Sequence, residues 1–383
     1  MKILIATTYF EPYHSGLSVY AHRLAEGLAR RGHEVVVITS QHTKTLPLKE
    51  QMNGFTVVRI PILLHLSKGV IMPALSRLAR PWVKWADILN LHLPQFESFV
   101  YARLAREMSK PLVLTYHCDL VMSGGLLNRL AGGVTTTLQR GVLSQADIIV
   151  QNSMDYAENS SVLKPLLGKT VAIPTPVNCR MIKPEETSAF LAKYGLLSAS
   201  PKIGLAGRVA SEKGYEYLAA AMPEVLAVFP QACVVHAGGW NSAVGEKAYQ
   251  DKVESLLKPL GNHWVRLGYL SDQEFQAFFA GLDVLVFSSL NSTESFGIVQ
   301  IEAMCQGTPV VASDLPGVRQ PVKQTGLGKI ISIRDPHALT SAIIEVLIKK
   351  GNQKKSPIDY LRQFSQDSVA SRYEAIMEQL IKA

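Results

Sequence analysis

Short runs of apolar and β-branched residues, separated by amphipathic stretches, recur along the 383-residue chain, and the series starts afresh near Lys202. In the first half Ile3–Thr7, Glu34–Thr39, Phe55–Ile60, Ile88–Leu91, Leu112–Tyr116, Ile148–Gln151 and Thr170–Ile173 read as strands. In the second half Lys202–Ala206, Ala232–Ala237, Trp264–Leu267, Val284–Phe287, Pro309–Ala312 and Lys329–Ile333 do the same. Hydrophobicity without polar alternation belongs to strands buried on both faces, hence to a parallel sheet covered by helices. Ser18–Arg31, with Val19, Leu24 and Leu28 on one face and Gly32 at its end, is the first such helix. Two complete sets predict an α/β fold of two Rossmann-like domains facing each other across a cleft. The domains are expected at 1–177 and 178–362, with a hinge near Pro174-Thr-Pro176. A returning segment, 363–383, whose helix is Ser368–Ile381, is expected to pack on the first domain.

Composition fits two globular cores: 47% of residues are hydrophobic and 18% charged, away from the disordered regime. No apolar run reaches the ~18–20 residues that span a bilayer. Lys2–Phe10 meets Glu11-Pro12 too early for a signal peptide and reads as a buried strand. Cys118, Cys179, Cys233 and Cys305 lie far apart with no CxxC pair, which predicts reduced thiols of a cytoplasmic protein and no metal site.

Charge is one-sided. The first 180 residues carry 19 Lys and Arg against 11 Asp and Glu, whereas the rest carry 20 of each. That bias suggests an anionic partner: a membrane surface, a phospholipid or a lipid diphosphate. Nucleic acid is not expected, since no aromatic-interleaved basic stripe accompanies the charge. Leu63–Trp85 and Leu126–Leu143 are apolar with isolated Lys68, Arg77, Arg80, Lys84, Arg129 and Arg140. Such spacing suits either an interfacial amphipathic helix or an ordinary sheet-covering helix with a basic outer face.

The chemistry concentrates in Glu294-Ser295-Phe296-Gly297-Ile298-Val-Gln-Ile-Glu302. A polar loop ends at Glu294, and the apolar run after it opens a helix near Phe296–Gly297. First-turn N–H groups lack acceptors within the helix and attract anions. Glu302, further in, is a carboxylate able to accept from two neighbouring hydroxyls. A phosphate seat with an acid on either side is the result. By itself the segment also reads as a favourable dipole interaction plus a solvated acid.

Gly204-Leu-Ala-Gly207-Arg208-Val-Ala-Ser-Glu-Lys213-Gly214 ends the first strand of the second domain. A guanidinium and an ammonium at a strand's carboxyl end are placed to neutralise a departing diphosphate. Phe10-Glu-Pro-Tyr13-His14-Ser-Gly16 forms the first strand–helix turn, where a glycine permits close ligand approach. Thr115-Tyr-His117-Cys-Asp119 puts an imidazole and a carboxylate at another strand end, a pair able to position a sugar hydroxyl. No Asp-x-Asp metal pair occurs, and Gly168-Lys-Thr170 lacks the first glycine of a P-loop because position 163 is Leu.

Taken together these motifs make the chain resemble the retaining glycosyltransferases of family 4, the group 1 type with the GT-B fold. The likeness runs through Gly16, Arg31-Gly-His33-Glu-Val, Gly207-Arg208 with Lys213-Gly214, Leu267-Gly-Tyr-Leu-Ser-Asp272, the paired glutamates and Pro309-Val-Val-Ala-Ser-Asp314. The resemblance implies that Arg208 and Lys213, beside Gly207, hold a donor diphosphate, and that the Ser295–Ile298 turn cradles phosphate. It assigns Glu294 to donor-sugar hydroxyls, Glu302 to the ribose, Leu270 to the base, His117 to the transferred sugar and Gly16 to the donor and acceptor entrance. Tyr13, His14 and Asp119 are expected near the acceptor. Three places depart from the family pattern: Ser15-Gly16, Pro174-Thr-Pro-Val-Asn178 and the loop after Asp314.

The expected activity is metal-independent, cofactor-free transfer of a sugar from a UDP- or GDP-sugar to a hydroxyl. The acceptor would be a lipid, lipid-linked or polysaccharide precursor at the cytoplasmic membrane face. A nucleotide-sugar epimerase on the same scaffold and a non-catalytic nucleotide-sugar-binding protein are the alternatives.

Overall fold

The computed structural model describes residues 1–66, 69–120, 139–240, 246–349 and 358–382. The chain divides into two compact units, Met1–Val177 with Gln363–Ala383, and Asn178–Arg362.

The first unit holds β1 (Lys2–Ala6), β2 (Glu34–Gln41), β3 (Lys49–Met52), β4 (Phe55–Pro61), β5 (Leu64–Leu66), β6 (Gly69–Ile71), β7 (Ile88–Leu93), β8 (Leu112–Tyr116), β9 (Ile148–Gln151) and β10 (Thr170–Ala172). Its main sheet runs β10-β9-β8-β7-β1-β2-β4-β3. Neighbours are parallel except β3, which pairs antiparallel with β4. Alternate residues of β1 enter different cores. Leu4 and Ala6 join a cluster with the helices Leu75–Trp85 and Ser98–Glu107. Ile3 and Ile5 join Tyr20, Leu24 and Leu28 of the helix Gly16–Arg30. Burial on both faces is why these strands lack polar alternation.

The C-terminal helix Gln366–Lys382 supplies Val369, Ala370, Tyr373 and Met377 to that second core. It meets the first helix at Gly27, where an added Cβ would stand 3.0 Å from that of Ala370. Arg31 binds Glu374 at 2.5 Å and Asp367 at 2.8 Å.

Two expectations need correction here. Leu63–Trp85 is not one helix: Leu64–Leu66 and Gly69–Ile71 pair as a hairpin, and the helix begins at Leu75. Its apolar residues Leu75, Ala79 and Val83 are buried in the protein, while Arg77, Arg80 and Lys84 face outward. The covering-helix reading therefore holds for this segment, because the apolar stripe already has a partner. Residues 139–143 of the second stretch are helical; Lys68, Arg129 and the rest of that stretch lie outside the described residues. The second correction is that Cys179 and Cys305 form a disulfide, with Cα atoms 5.5 Å apart. A separation of 126 residues hid a pairing that only the folded chain brings together. Cys118 and Cys233 take no part in a disulfide.

The second unit contains β11 (Lys202–Ala206), β12 (Cys233–Ala237), β13 (Trp264–Gly268), β14 (Val284–Phe287), β15 (Val310–Ser313) and β16 (Gly328–Ile331). All are parallel in the order β13-β12-β11-β14-β15-β16. Counted within the unit this is 3-2-1-4-5-6, the Rossmann order, which reverses between its first and fourth strands. Among the described residues no helix is long and apolar enough to cross a membrane.

Candidate functional site

At that reversal, helices leave the two central strands toward opposite faces and open a crevice at the carboxyl ends. The loop after β11 carries Gly207, Arg208 and Lys213; the loop after β14 carries Ser288 to Gly297. They are stitched together. Leu290 N donates to Glu212 O at 2.9 Å, and Ser288 Oγ donates to Lys213 O at 3.0 Å. Gly214, at φ +67°, lies so close that an added Cβ would stand 2.4 Å from Ser288 O. The result is a direct ion pair between Lys213 Nζ and Glu294 Oε2. The ammonium also lies 5.4 Å from the centre of the Phe287 ring. Arg208 stands on the same loop, 3.8 Å from Glu212. Two cations and an acid thus share one edge of the second sheet.

The helix Ile298–Cys305 begins beside them, with Gly297 at φ +82° just before its first turn. The sequence suggested a glycine there for ligand approach. Locally the chain needs one for another reason as well: a Cβ would lie 2.6 Å from the Phe287 ring. Gln300 Nε2 fastens the turn by donating to Phe296 O at 2.7 Å and Val318 O at 2.9 Å. Ser295 and Phe296 are buried and Ile298 is half-buried. Glu302, fifth in the helix, is only 3% exposed.

Sequence reasoning missed the brace under Arg208. Tyr215 Oη donates to Gly207 O at 3.0 Å, and His236 Nε2 lies 2.8 Å from both that carbonyl and the phenol oxygen. Burial lowers the His236 pKa to about 4, so the imidazole is neutral and holds this carbonyl as a donor. Leu270 is half-buried between β13 and the helix Asp272–Ala280, on a different loop from Lys213.

The first unit gathers the remaining candidates. Gly16 opens the helix Gly16–Arg30 behind the Ser15 cap, and a Cβ there would meet nothing within 4 Å. Tyr13 stacks on Tyr9 at 4.5 Å, and His14 is exposed. Asp119 is occupied internally: its Oδ1 accepts from Tyr116 at 2.8 Å and Ser160 at 2.7 Å. His117 follows β8 and is half-buried, and its Nε2 lies 2.9 Å from Nδ1 of His92. His92, fully buried in β7, went unnoticed in the sequence. It lies within β7, whereas His117 follows β8, so the sequence alone does not pair them.

Comparison with known proteins identifies the family and the fold. Residues 15–174 match the glycosyl transferase 4-like domain, and residues 187–364 match glycosyl transferases group 1. An uncharacterised glycosyltransferase of Methanocaldococcus jannaschii is 28% identical over 99% of this chain and 100% of its own. The phosphatidyl-myo-inositol mannosyltransferase of Mycolicibacterium smegmatis is 27% identical over 91% of this chain and 85% of its own. Sucrose-phosphate synthase from Thermosynechococcus elongatus superposes with a TM-score of 0.80 at 21% identity, covering 100% of this chain and 99% of that one. With both domains matched in order and two Rossmann-like sheets in place, the chain belongs to the family 4, group 1 glycosyltransferases and has their GT-B fold.

Proposed function

We propose that this glycosyltransferase moves a sugar from a nucleotide-diphosphate sugar, carrying uridine or guanosine, to a hydroxyl acceptor with retained anomeric configuration and without a metal. The observation that carries the reading is the Lys213–Glu294 pair at the reversal of the second sheet, beside Arg208 and a helix start. Lys213, Arg208 and the first-turn amides near Ile298 stabilise the diphosphate as its charge grows. Glu294 accepts from donor-sugar hydroxyls and holds the ammonium extended when no donor is bound. Glu302 reads the ribose, Leu270 flanks the base and His117 contacts the transferred sugar. The bond from the anomeric carbon to phosphate oxygen breaks and one to the acceptor oxygen forms on the same face. The acceptor's proton passes to the departing diphosphate.

The acceptor we favour is a lipid or lipid-linked precursor, reached at an anionic membrane surface. The basic excess of the first half and the outward Arg77, Arg80 and Lys84 support this, as does the phosphatidyl-myo-inositol in the name of the Mycolicibacterium smegmatis relative. Tyr13, His14 and Gly16 would lie toward it.

The test is transfer of labelled sugar from UDP- and GDP-sugars into a membrane lipid extract with EDTA present, with the product anomer read by NMR. Retained configuration in a lipid product is expected. An inverted product, or donor turnover that needs no acceptor, overturns the proposal, the latter in favour of an epimerase. Failure to bind anionic vesicles at physiological salt removes the membrane part alone.

A further inference from the structure

His92 and His117 come from neighbouring strand ends and stack with centroids 5.1 Å apart at 28°. The edge of the Tyr20 ring meets both, at 5.6 Å and 4.9 Å. The Tyr20 hydroxyl bonds that of Tyr373 at 2.8 Å, and Tyr373 bonds Thr115 Oγ1 at 2.9 Å. The C-terminal helix thus helps to clamp the pair. Burial pushes the His92 pKa well down and takes that of His117 to about 3, so both rings are neutral.

One proton must lie between His92 Nδ1 and His117 Nε2, which leaves two arrangements. If His117 donates, the proton of His92 sits on Nε2, an atom buried with no hydrogen-bond partner among the described residues. If His92 donates, the orphaned atom is only a lone pair. A buried N–H without an acceptor is the rarer and more expensive defect. The second arrangement therefore prevails, and His117 carries its own proton on Nδ1, away from His92.

We propose that His92 is a positioning residue that locks His117 in the Nδ1–H tautomer, so that the half-buried imidazole offers a hydrogen-bond donor, not a base, to an oxygen of the bound donor sugar. This rests on the role given to His117 above, and the test separates the two. In the unliganded full chain with 15N-labelled histidine, both residues should show a protonated Nδ1 and a bare Nε2. A protonated Nε2 on His117, or averaged signals, overturns the proposal without any assay of transfer. His92→Asn can still donate from its amide and should keep both the His117 tautomer and kcat. His92→Phe keeps a ring but no donor; kcat should fall at least about tenfold with KM for the sugar nucleotide little changed. Wild-type kcat in His92→Phe overturns the positioning role. A wild-type rate in His117→Ala overturns the use of the donor while leaving the tautomer standing.

Discussion

Replacing Gly297 by alanine tests whether the turn before the site helix is as constrained as its geometry implies. An alanine at φ +82° is in left-handed space, which costs an L-residue about 1–2 kcal/mol. Its Cβ would also stand 2.6 Å from two carbons of the Phe287 ring and 2.9 Å from Gln300 Nε2. Phe287 is 4% exposed, so its ring has little room to withdraw, and overpacking of this kind adds about 1–3 kcal/mol. Together the terms predict a loss of roughly 2–5 kcal/mol from the second domain, or a fall in melting temperature of roughly 5–15 °C. Gly16→Ala is the control, since its Cβ meets nothing within 4 Å and alanine is the better helix former. Scanning calorimetry of both variants should show a lowered second-domain transition for Gly297→Ala and no loss for Gly16→Ala. Wild-type melting of Gly297→Ala would refute the steric reasoning. A stable but inactive Gly16→Ala would assign that glycine to close approach of a ligand.

Glu294→Gln and Arg208→Ala should fold normally yet lose most transfer activity, at least about a hundredfold in kcat/KM; near wild-type values would remove them from the site. Acid should destabilise the fold through its buried neutral histidines. An unfolded histidine titrates near 6.5, whereas His236 does so at about 4, so its contribution is intact above pH 6.5 and lost as the pH falls through 4. That contribution is roughly 3 kcal/mol, and His236→Gln should flatten the pH dependence of second-domain melting across this window. An unchanged slope would contradict it. Thiol titration of the denatured, unreduced protein should find two titratable thiols, those of Cys118 and Cys233, which lie outside the disulfide; four would deny the Cys179–Cys305 bond.

Much of the fold was legible because a doubly covered parallel strand needs a continuous apolar run. Leu112–Tyr116, Ile148–Gln151, Lys202–Ala206 and Val284–Phe287 have the bounds expected of them. The edge strand Lys49–Met52 was not legible, since its residues KEQM are polar and its burial alternates. The antiparallel strands Leu64–Leu66 and Gly69–Ile71 were hidden for the opposite reason: their apolar residues also fit a helical stripe. The ends of β11 and β14 were readable as sites because charge and glycine stand out after an apolar strand. Their supports were not, because Tyr215, Ser288 and His236 act through contacts whose partners are distant in sequence. His92 shows the same limit: inside Ile88–Leu93 it looks like one polar residue in a core strand until β8 brings His117 beside it.

Calorimetric titration with a nucleoside diphosphate measures directly whether the second domain holds a diphosphate. UDP or GDP should bind the wild-type chain, and Lys213→Ala should weaken it at least about tenfold, as expected for loss of a charge-assisted contact, while the matching nucleoside binds both alike. Equal diphosphate affinity in the two proteins would contradict the account.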